Sequence, residues 1–106
     1  MYIVTNTSKI KLGESYKLVN RFDKEGLIEK MPGFLGLEVM VTEKLADFDE
    51  VTVSTKWEDE AAFQHWFKSD AFKQVHNYKG DRPEYIISNE IAYYNVKITR
   101  DPLLSV

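Results

Sequence analysis

Cysteine is absent from the 106-residue sequence, which excludes disulfide bonds, thiolate nucleophiles and thiolate metal ligands. No apolar run approaches the length that a membrane-spanning helix needs. The opening residues also lack the basic segment followed by an apolar segment that marks a secretory signal. These absences predict a cytoplasmic protein that has no membrane partner.

Neither sign of charge dominates the sequence. The 14 basic and 17 acidic residues are mixed along the chain and give a formal net charge of −3. A nucleic-acid-binding domain would carry a basic patch, so nucleic acid is not an expected partner. The length predicts a single domain over residues 1–106. Because a domain this small buries a smaller share of its surface than a larger one, association would help to stabilise it.

Alternation of apolar and polar residues predicts the first three strands. Residues 2–10 alternate, and Asn6 falls on the same face as Tyr2. Residues 37–42 and 51–57 alternate in the same way. The link between these two segments is short and acidic, so they are expected to pair as an antiparallel hairpin.

Two helical regions are expected between the strands. The first begins at Gly13-Glu14, weakens or kinks at Gly26, and has one apolar side. That side consists of Tyr16, Val19 and Phe22, with Leu18 alongside. The second begins after Asp59, a good N-cap residue, and breaks at Ser69-Asp70, where a further short helix starts.

The last strand, residues 85–98, is apolar on both faces. Tyr85, Ile87, Ile91 and Tyr93 fall on one face, and Ile86, Ala92, Tyr94, Val96 and Ile98 fall on the other. A strand of this kind is normally covered on both faces. The helices of the same chain can cover one face, and a second subunit is the simplest cover for the other. The order strand, helix, strand, strand, helix, strand predicts an α+β, ferredoxin-like βαββαβ fold with an antiparallel sheet. Two such sheets are expected to pack face to face in a homodimer.

Common motifs for phosphate, zinc, calcium and serine-hydrolase sites are absent. Three residues remain as candidates for a functional site. Asn6 is either an amide bonded to nearby backbone or a polar group in a site. Trp66 is either a core aromatic or the wall of a pocket for a flat ligand. His76 is either a structural residue or an axial ligand of haem iron.

The segment from Ala62 to His76 resembles the signature of IsdG-type haem-degrading monooxygenases, within the antibiotic-biosynthesis monooxygenase superfamily. That signature has an Ala-Phe pair, a tryptophan followed by a hydrophobic residue and Lys-Ser-Asp, then Phe-Lys and a histidine ten residues after the tryptophan. Further matches are Gly33-Phe34 with Gly36, the acidic Asp47-Phe48-Asp49-Glu50-Val51, Lys56-Trp57 and Asn6. The resemblance covers nearly the whole chain.

The resemblance implies a dimeric α/β barrel in which haem is both cofactor and substrate. It implies that His76 is the proximal axial ligand of the iron, that Asn6 donates a hydrogen bond on the distal side, and that Trp66 presses on the porphyrin and distorts it. O₂ is expected as co-substrate. Because no flavin or nicotinamide motif is present, electrons are expected from an unidentified reductase or a small reductant.

Two other functions stay open on the sequence. A cofactor-independent monooxygenase acting on a quinol or polyphenol would use Asn6 and Trp66 without needing His76. A haem-binding carrier would bind the ligand without turnover. The second histidine, His65, adjoins Trp66 and is expected on the solvated side of its helix, with no role in the site.

Overall fold

A computed structural model describes residues 1–75 and 83–104, and these form a four-stranded antiparallel sheet with helices on one face. The strands are β1 (Tyr2–Ile10), β2 (Phe34–Val41), β3 (Asp49–Trp57) and β4 (Ile86–Asn95). Their order across the sheet is β2-β3-β1-β4, so β1 and β3 are central. The expected hairpin of β2 and β3 is confirmed. Together with the helix positions, this order confirms the ferredoxin-like fold.

Three helices begin at or close to the predicted positions. They are α1 (Ser15–Asn20), α2 (Glu60–Phe67) and α3 (Asp70–Val75), with a short 3₁₀ turn at Ile28–Lys30 before β2. The Asp59 side chain accepts a hydrogen bond from the Ala62 N–H at 2.9 Å, which confirms it as the cap of α2. Within the described residues, no helix is long and apolar enough to cross a membrane.

The buried side of α1 differs from the prediction. Leu18 is the buried residue of this helix, whereas Tyr16 is 57% exposed and Phe22 lies beyond the helix end with 39% exposure. The helix ends at Asn20 rather than continuing toward Gly26. Six residues make fewer than two turns, so the helix contacts the sheet at few positions, and Leu18 fills the main one against Ile10 and Val51.

The first side chain of β4 also points to a different face of the sheet from the one predicted. A register shift between Lys9 and Ile10 places Ile86 directly opposite Ile10. Because opposite residues share a face, Ile86 lies on the helix-covered face and not with Ala92 and Tyr94 as predicted. The strand runs over Ile86–Asn95, which is shorter than the expected 85–98.

The face of the sheet away from the helices, the outer face, has no covering element among the described residues. Pairing across the strands places three rows of side chains there. They contain Met40, Thr52 and Thr7; Ser54, Thr5 and Ala92; and Lys56, Ile3 and Tyr94. One chain therefore forms an open sheet, and no closed barrel exists within the described part of a single copy.

Gly33 allows a close approach between the start of β2 and helix α2. Its φ is +80°, and a Cβ atom built there would lie 2.6 Å from the Cβ of Ala62. Its carbonyl oxygen also accepts a hydrogen bond from the Glu58 N–H at 2.8 Å. The predicted turn at Pro32-Gly33 is thus a tight packing point, where the helix layer meets the sheet.

Gly33→Ala is expected to destabilise the protein by about 2–4 kcal/mol, because it adds overpacking to a left-handed backbone penalty. Gly13→Ala is the matched control: its φ is +82°, but nothing lies within 4 Å of the added Cβ. Its free energy of unfolding should fall only by the backbone penalty, about 1–2 kcal/mol. Urea unfolding of both variants measures the difference. Equal losses would contradict the packing argument.

Asp49, the first residue of β3, caps the start of α1 from a different element. Its Oδ2 accepts the Ser15 N–H at 2.9 Å, and Glu14 at the N-cap position makes no capping bond of its own. Hydrogen bonds from the backbone of Ser15, and then of Gly13, hold the pKa of the Asp49 carboxyl below its ordinary value. The carboxylate is therefore favoured in the folded protein.

This lowered pKa predicts a specific loss of stability in acid. The contribution of Asp49 is complete above the pKa of an unfolded aspartate, about 3.9, and is lost as the pH falls through the lower folded pKa. In Asp49→Asn, the free energy of unfolding should be lower at pH 7 and should fall less between pH 5 and pH 2, which urea titrations at each pH measure. Asp47→Asn, at an exposed position two residues earlier, is the control and should keep the wild-type pH dependence. Parallel curves for Asp49→Asn and the wild type would refute the assignment.

Candidate functional site

The helix-covered face of the sheet carries two separate hydrophobic clusters with a gap between them. The first cluster comprises Tyr2, Val4, Trp57, Phe63 and Trp66. The second comprises Ile10, Leu18 and Val51. Between them, one row of paired residues crosses the whole sheet, and none of its members is fully buried by the described residues. The row consists of Val39, Val53, Asn6 and Ile91.

We call this gap the central groove. Its floor is formed by Val53, Asn6 and Ile91, while Val39 at the end of the row packs against the second cluster. The Cα atoms of Val4 and Ser8, the residues that border the groove along β1, lie about 13 Å apart by the rise of a strand. Ile91 is 54% exposed at one end of the floor, and Tyr93 beside it on the same face is also 54% exposed. The floor of the groove is apolar apart from the amide of Asn6, and the polar side chains of Asn89 and Ser8 lie at its edge on the same face.

Asn6 lies at the centre of the groove floor, between Val53 on β3 and Ile91 on β4. Its Oδ1 accepts a hydrogen bond from the Nδ2 of Asn89 at 3.3 Å. The simpler interpretation from sequence, an amide bonded to nearby backbone, does not match this contact. The amide nitrogen of Asn6 makes no hydrogen bond to the described residues and can donate to a ligand.

Trp66 is buried in the first cluster, with 5% of its surface exposed. Its ring packs edge-on against Phe72 of α3, with the ring centroids 5.5 Å apart. Val4 belongs to the same cluster and lies two residues from Asn6 on the same face of β1. Trp66 is thus a core aromatic on the side of the groove that α2 covers.

Ser69 separates α2 from α3 as the sequence predicts. Its hydroxyl donates to the Trp66 carbonyl oxygen at 2.6 Å and accepts the Phe72 N–H at 3.1 Å. One side chain thus ends the first helix and caps the second. The turn between the two helices brings the ring of Phe72 into contact with the ring of Trp66.

Of the two histidines, the structure describes His65 but not His76. His76 follows directly after Val75, the last residue of α3, and lies outside the described residues. Its assignment as an axial ligand stays a prediction. His65 is exposed on α2 beside Lys68, so its expected position on the solvated side is confirmed.

Two residues of the site were missed from sequence. Asn89 contacts Asn6, and Tyr93 stacks on Tyr2 with the ring centroids 6.4 Å apart. The period of two along β4 already places Asn89 on the face of Ile91 and Tyr93. The alternation of β4 thus carries the signal for Asn89, although a polar residue does not stand out in a strand identified by its apolar positions. Burial raises the pKa of Tyr2, and Glu60 and Tyr93 add to the shift, so its phenol stays neutral beside the groove.

The described residues thus form an open α+β sheet whose helix-covered face carries a mostly apolar groove with a hydrogen-bonded pair of asparagines. Residues 1–78 match the antibiotic biosynthesis monooxygenase family. The chain therefore belongs to this family of monooxygenases, and its class is oxidoreductase.

Particular relatives narrow the relationship. The chain is 55% identical, over 97% of its length and 96% of the relative's, to a heme-degrading monooxygenase of Bacillus cereus strain B4264. It is 53% identical over the same shares to a protein of the same name from Bacillus thuringiensis subsp. konkukian. The resemblance inferred from the Trp66 segment is thus confirmed.

Solved structures agree on the fold. A putative antibiotic biosynthesis monooxygenase from Bacillus cereus is 35% identical, with a TM-score of 0.85 and coverage of 95% of this chain and 97% of that chain. The heme-degrader MhuD from Mycobacterium tuberculosis, with two hemes bound in its active site, has a TM-score of 0.68 at 21% identity, with coverage of 93% of this chain and 99% of that chain. The second likeness supports the fold alone.

Proposed function

We propose that this protein is a haem-degrading monooxygenase that binds haem as cofactor and substrate, opens the porphyrin with O₂ and electrons from an external donor, and releases iron. The central groove carries this proposal, because it joins a long apolar floor to one hydrogen-bond donor. The full-length similarity to heme-degrading monooxygenases supports the same function.

The residues of the groove fit a porphyrin. A flat macrocycle would bury apolar area against Val53, Ile91 and the exposed part of Tyr93, at roughly 25 cal/mol per Å². The groove lies between two clusters that are already packed, so the floor need not rearrange to receive the ligand. Preorganised apolar walls of this kind lower the cost of ordering a site on binding.

Three residues take defined roles in this proposal. His76 holds the iron through an imidazole nitrogen, Asn6 presents an N–H donor from the groove floor, and Trp66 supplies rigid bulk on the helix side. Bound haem supplies the iron that activates O₂. An amide donates a hydrogen bond without acting as a strong acid, so Asn6 orients an oxygen group and does not protonate it.

Titration of the purified protein with haemin, followed by addition of ascorbate, tests the function. A saturable Soret band with one haem per chain is expected, followed in the presence of O₂ by its bleaching and the release of iron to a ferrous chelator. Catalase in the buffer removes free peroxide, which otherwise destroys haem without the enzyme.

Each of the other outcomes identifies a different function. A stable Soret band over hours, with ascorbate and then with a reductase as donor, would indicate a carrier. Absence of a saturable band would refute the haem site and leave the cofactor-independent oxidation of a quinol or polyphenol as the alternative. Oxygen uptake with a dihydroxynaphthalene in haem-free protein then measures that alternative.

We propose further that two copies pack their outer faces together as a homodimer. The chain exposes 8138 Å², whereas a monomer of 12.4 kDa is expected to expose about 6100 Å². The excess, about 2000 Å², falls in the range that one partner contributes to an obligate dimer. Exposed apolar residues on the outer face and in the segment after β4 account for part of it. They include Met40, Tyr94, Ile98, Leu103 and Leu104.

Tyr94→Glu tests this dimer. Tyr94 is 51% exposed in a single chain, so the charge costs little in a monomer but would be buried between two sheets. Sedimentation velocity at micromolar concentration should give a dimer for the wild type and a monomer for the variant. Tyr16→Glu is the matched control, because Tyr16 is 57% exposed on α1 and should leave the dimer intact. A monomeric wild type would refute the proposal.

The partners outside the protein follow from the same chemistry. The reaction needs electrons, and we propose a reductase or small reductant as their source, since the sequence has no flavin or nicotinamide motif. We also propose that the protein works in the cytoplasm, where a chain without cysteine needs no oxidative folding.

A further inference from the structure

We infer that Asn89 is a positioning residue, which fixes the amide of Asn6 so that its nitrogen and not its oxygen faces the groove. The inference rests on the proposed function, because it assigns a purpose to the donor on the groove floor. The observation behind it is the hydrogen bond from Asn89 Nδ2 to Asn6 Oδ1, at 3.3 Å across β1 and β4.

The contact joins diagonal neighbours on the sheet. Asn89 is paired directly with Ser8, while Asn6 is paired with Ile91. Diagonal neighbours on one face of an antiparallel pair lie about 7–8 Å apart at Cα, within reach of two asparagine side chains. Asn89 is exposed, so no burial requirement explains its side-chain bond. The contact holds the two amides in one geometry.

The chemistry of an amide makes the orientation matter. The side chain of Asn6 is planar, with an acceptor on one side and two N–H donors on the other, and rotation about its last torsion exchanges them. A partner that donates to Oδ1 selects one of the two orientations. Because Asn89 donates, the Oδ1 of Asn6 is turned toward β4, and its Nδ2 is left to donate to a ligand.

Four substitutions separate orientation from general structure. Asn89→Ala removes the partner, and Asn89→Gln keeps a donor on a longer chain. Asn89→Asp places an acceptor there, which should rotate the Asn6 amide and turn its oxygen to the groove. Asn95→Asp is the matched control, an asparagine on the same face of β4 opposite Tyr2.

Side-chain ¹⁵N NMR of the haem-free protein gives the first readout. The Asn6 amide signal, assigned by its loss in Asn6→Ala, should be rigid in the wild type and in Asn95→Asp. It should become mobile in Asn89→Ala, regain order in Asn89→Gln, and shift downfield in Asn89→Asp as its N–H bonds to the carboxylate. An unchanged Asn6 signal in both Asn89→Ala and Asn89→Asp would overturn the inference.

The initial rate of haem loss with ascorbate gives the second readout. Asn89→Ala should slow it about two- to tenfold, the value of one hydrogen bond, and Asn89→Asp by about a hundredfold, since the donor is turned away. The dissociation constant for haemin should change less than threefold in both, because the amide does not ligate iron. Altered NMR signals with wild-type rates would refute the purpose assigned to Asn89. Failure of the wild type to degrade haem would refute the proposed function, while the NMR arm still decides whether Asn89 orients Asn6.

Discussion

His76→Ala is expected to weaken haemin binding by roughly a hundredfold or more and to shift the Soret band. Loss of a group that merely supports a metal ligand already costs about 10- to 100-fold, so loss of the ligand itself should cost at least as much. The apolar groove remains in the variant, and so some hydrophobic binding of the macrocycle remains with it. Absorbance titration of the purified variant measures both the affinity and the band position.

His65→Ala controls for the loss of a histidine as such. The residue is exposed on α2 and should leave the affinity and the spectrum at their wild-type values. Added imidazole should restore the band position in His76→Ala, because it supplies the missing nitrogen ligand. A His76→Ala protein with the wild-type dissociation constant and spectrum would show that another residue holds the iron.

Trp66→Ala should lower the free energy of unfolding by about 3–5 kcal/mol, the cost of deleting a large buried aromatic side chain. Trp66 is 5% exposed in the first cluster and packs against Phe72, so its removal leaves a cavity between α2, α3 and the sheet. For a domain whose total stability is about 5–15 kcal/mol, that is a severe loss. Urea unfolding of the haem-free variant measures it.

Trp66→Phe separates the structural role from the role toward haem. Phenylalanine keeps most of the bulk, so we expect a loss of about 1–2 kcal/mol and partial retention of haem degradation. Phe67→Ala, at a 49% exposed neighbour, should cost less than Trp66→Ala. If Trp66→Ala proved as stable and as active as the wild type, both the core role and the role toward haem would be wrong.

The strands were predictable because their residues alternate over long, regular stretches. Residues 2–10 were expected as β1 and are found there, and alternation alone placed Asn6 on the face that carries the groove. The starts of α2 and α3 were equally accessible, since Asp59 and Ser69 cap them through bonds within three residues. Local chemistry fixes these features, and a sequence displays local chemistry directly.

Features that depend on contacts between residues far apart in the sequence could not be predicted from it. The buried side of α1 is set by Ile10 and Val51 on two strands. The short pattern alone therefore could not separate Leu18 and Val19, which pack there, from Tyr16 and Phe22, which are exposed. The register shift opposite Ile10 moves Ile86 to the other face of the sheet. No glycine or proline at this point of the strand signals the shift in the sequence. The bond between Asn6 and Asn89 spans 83 residues, and only the order of strands brings the two amides together.

The groove between the two clusters has a consequence for how long each enzyme molecule survives. A ligand lodged there would touch both clusters and join them into one interior, which stabilises the folded chain in proportion to its occupancy. Under the proposed function the ligand is consumed, so each turnover would return the chain to the lower stability of its ligand-free form. If haem is the ligand, as proposed, the haem-free chain would be the less stable form and therefore the better substrate for proteases.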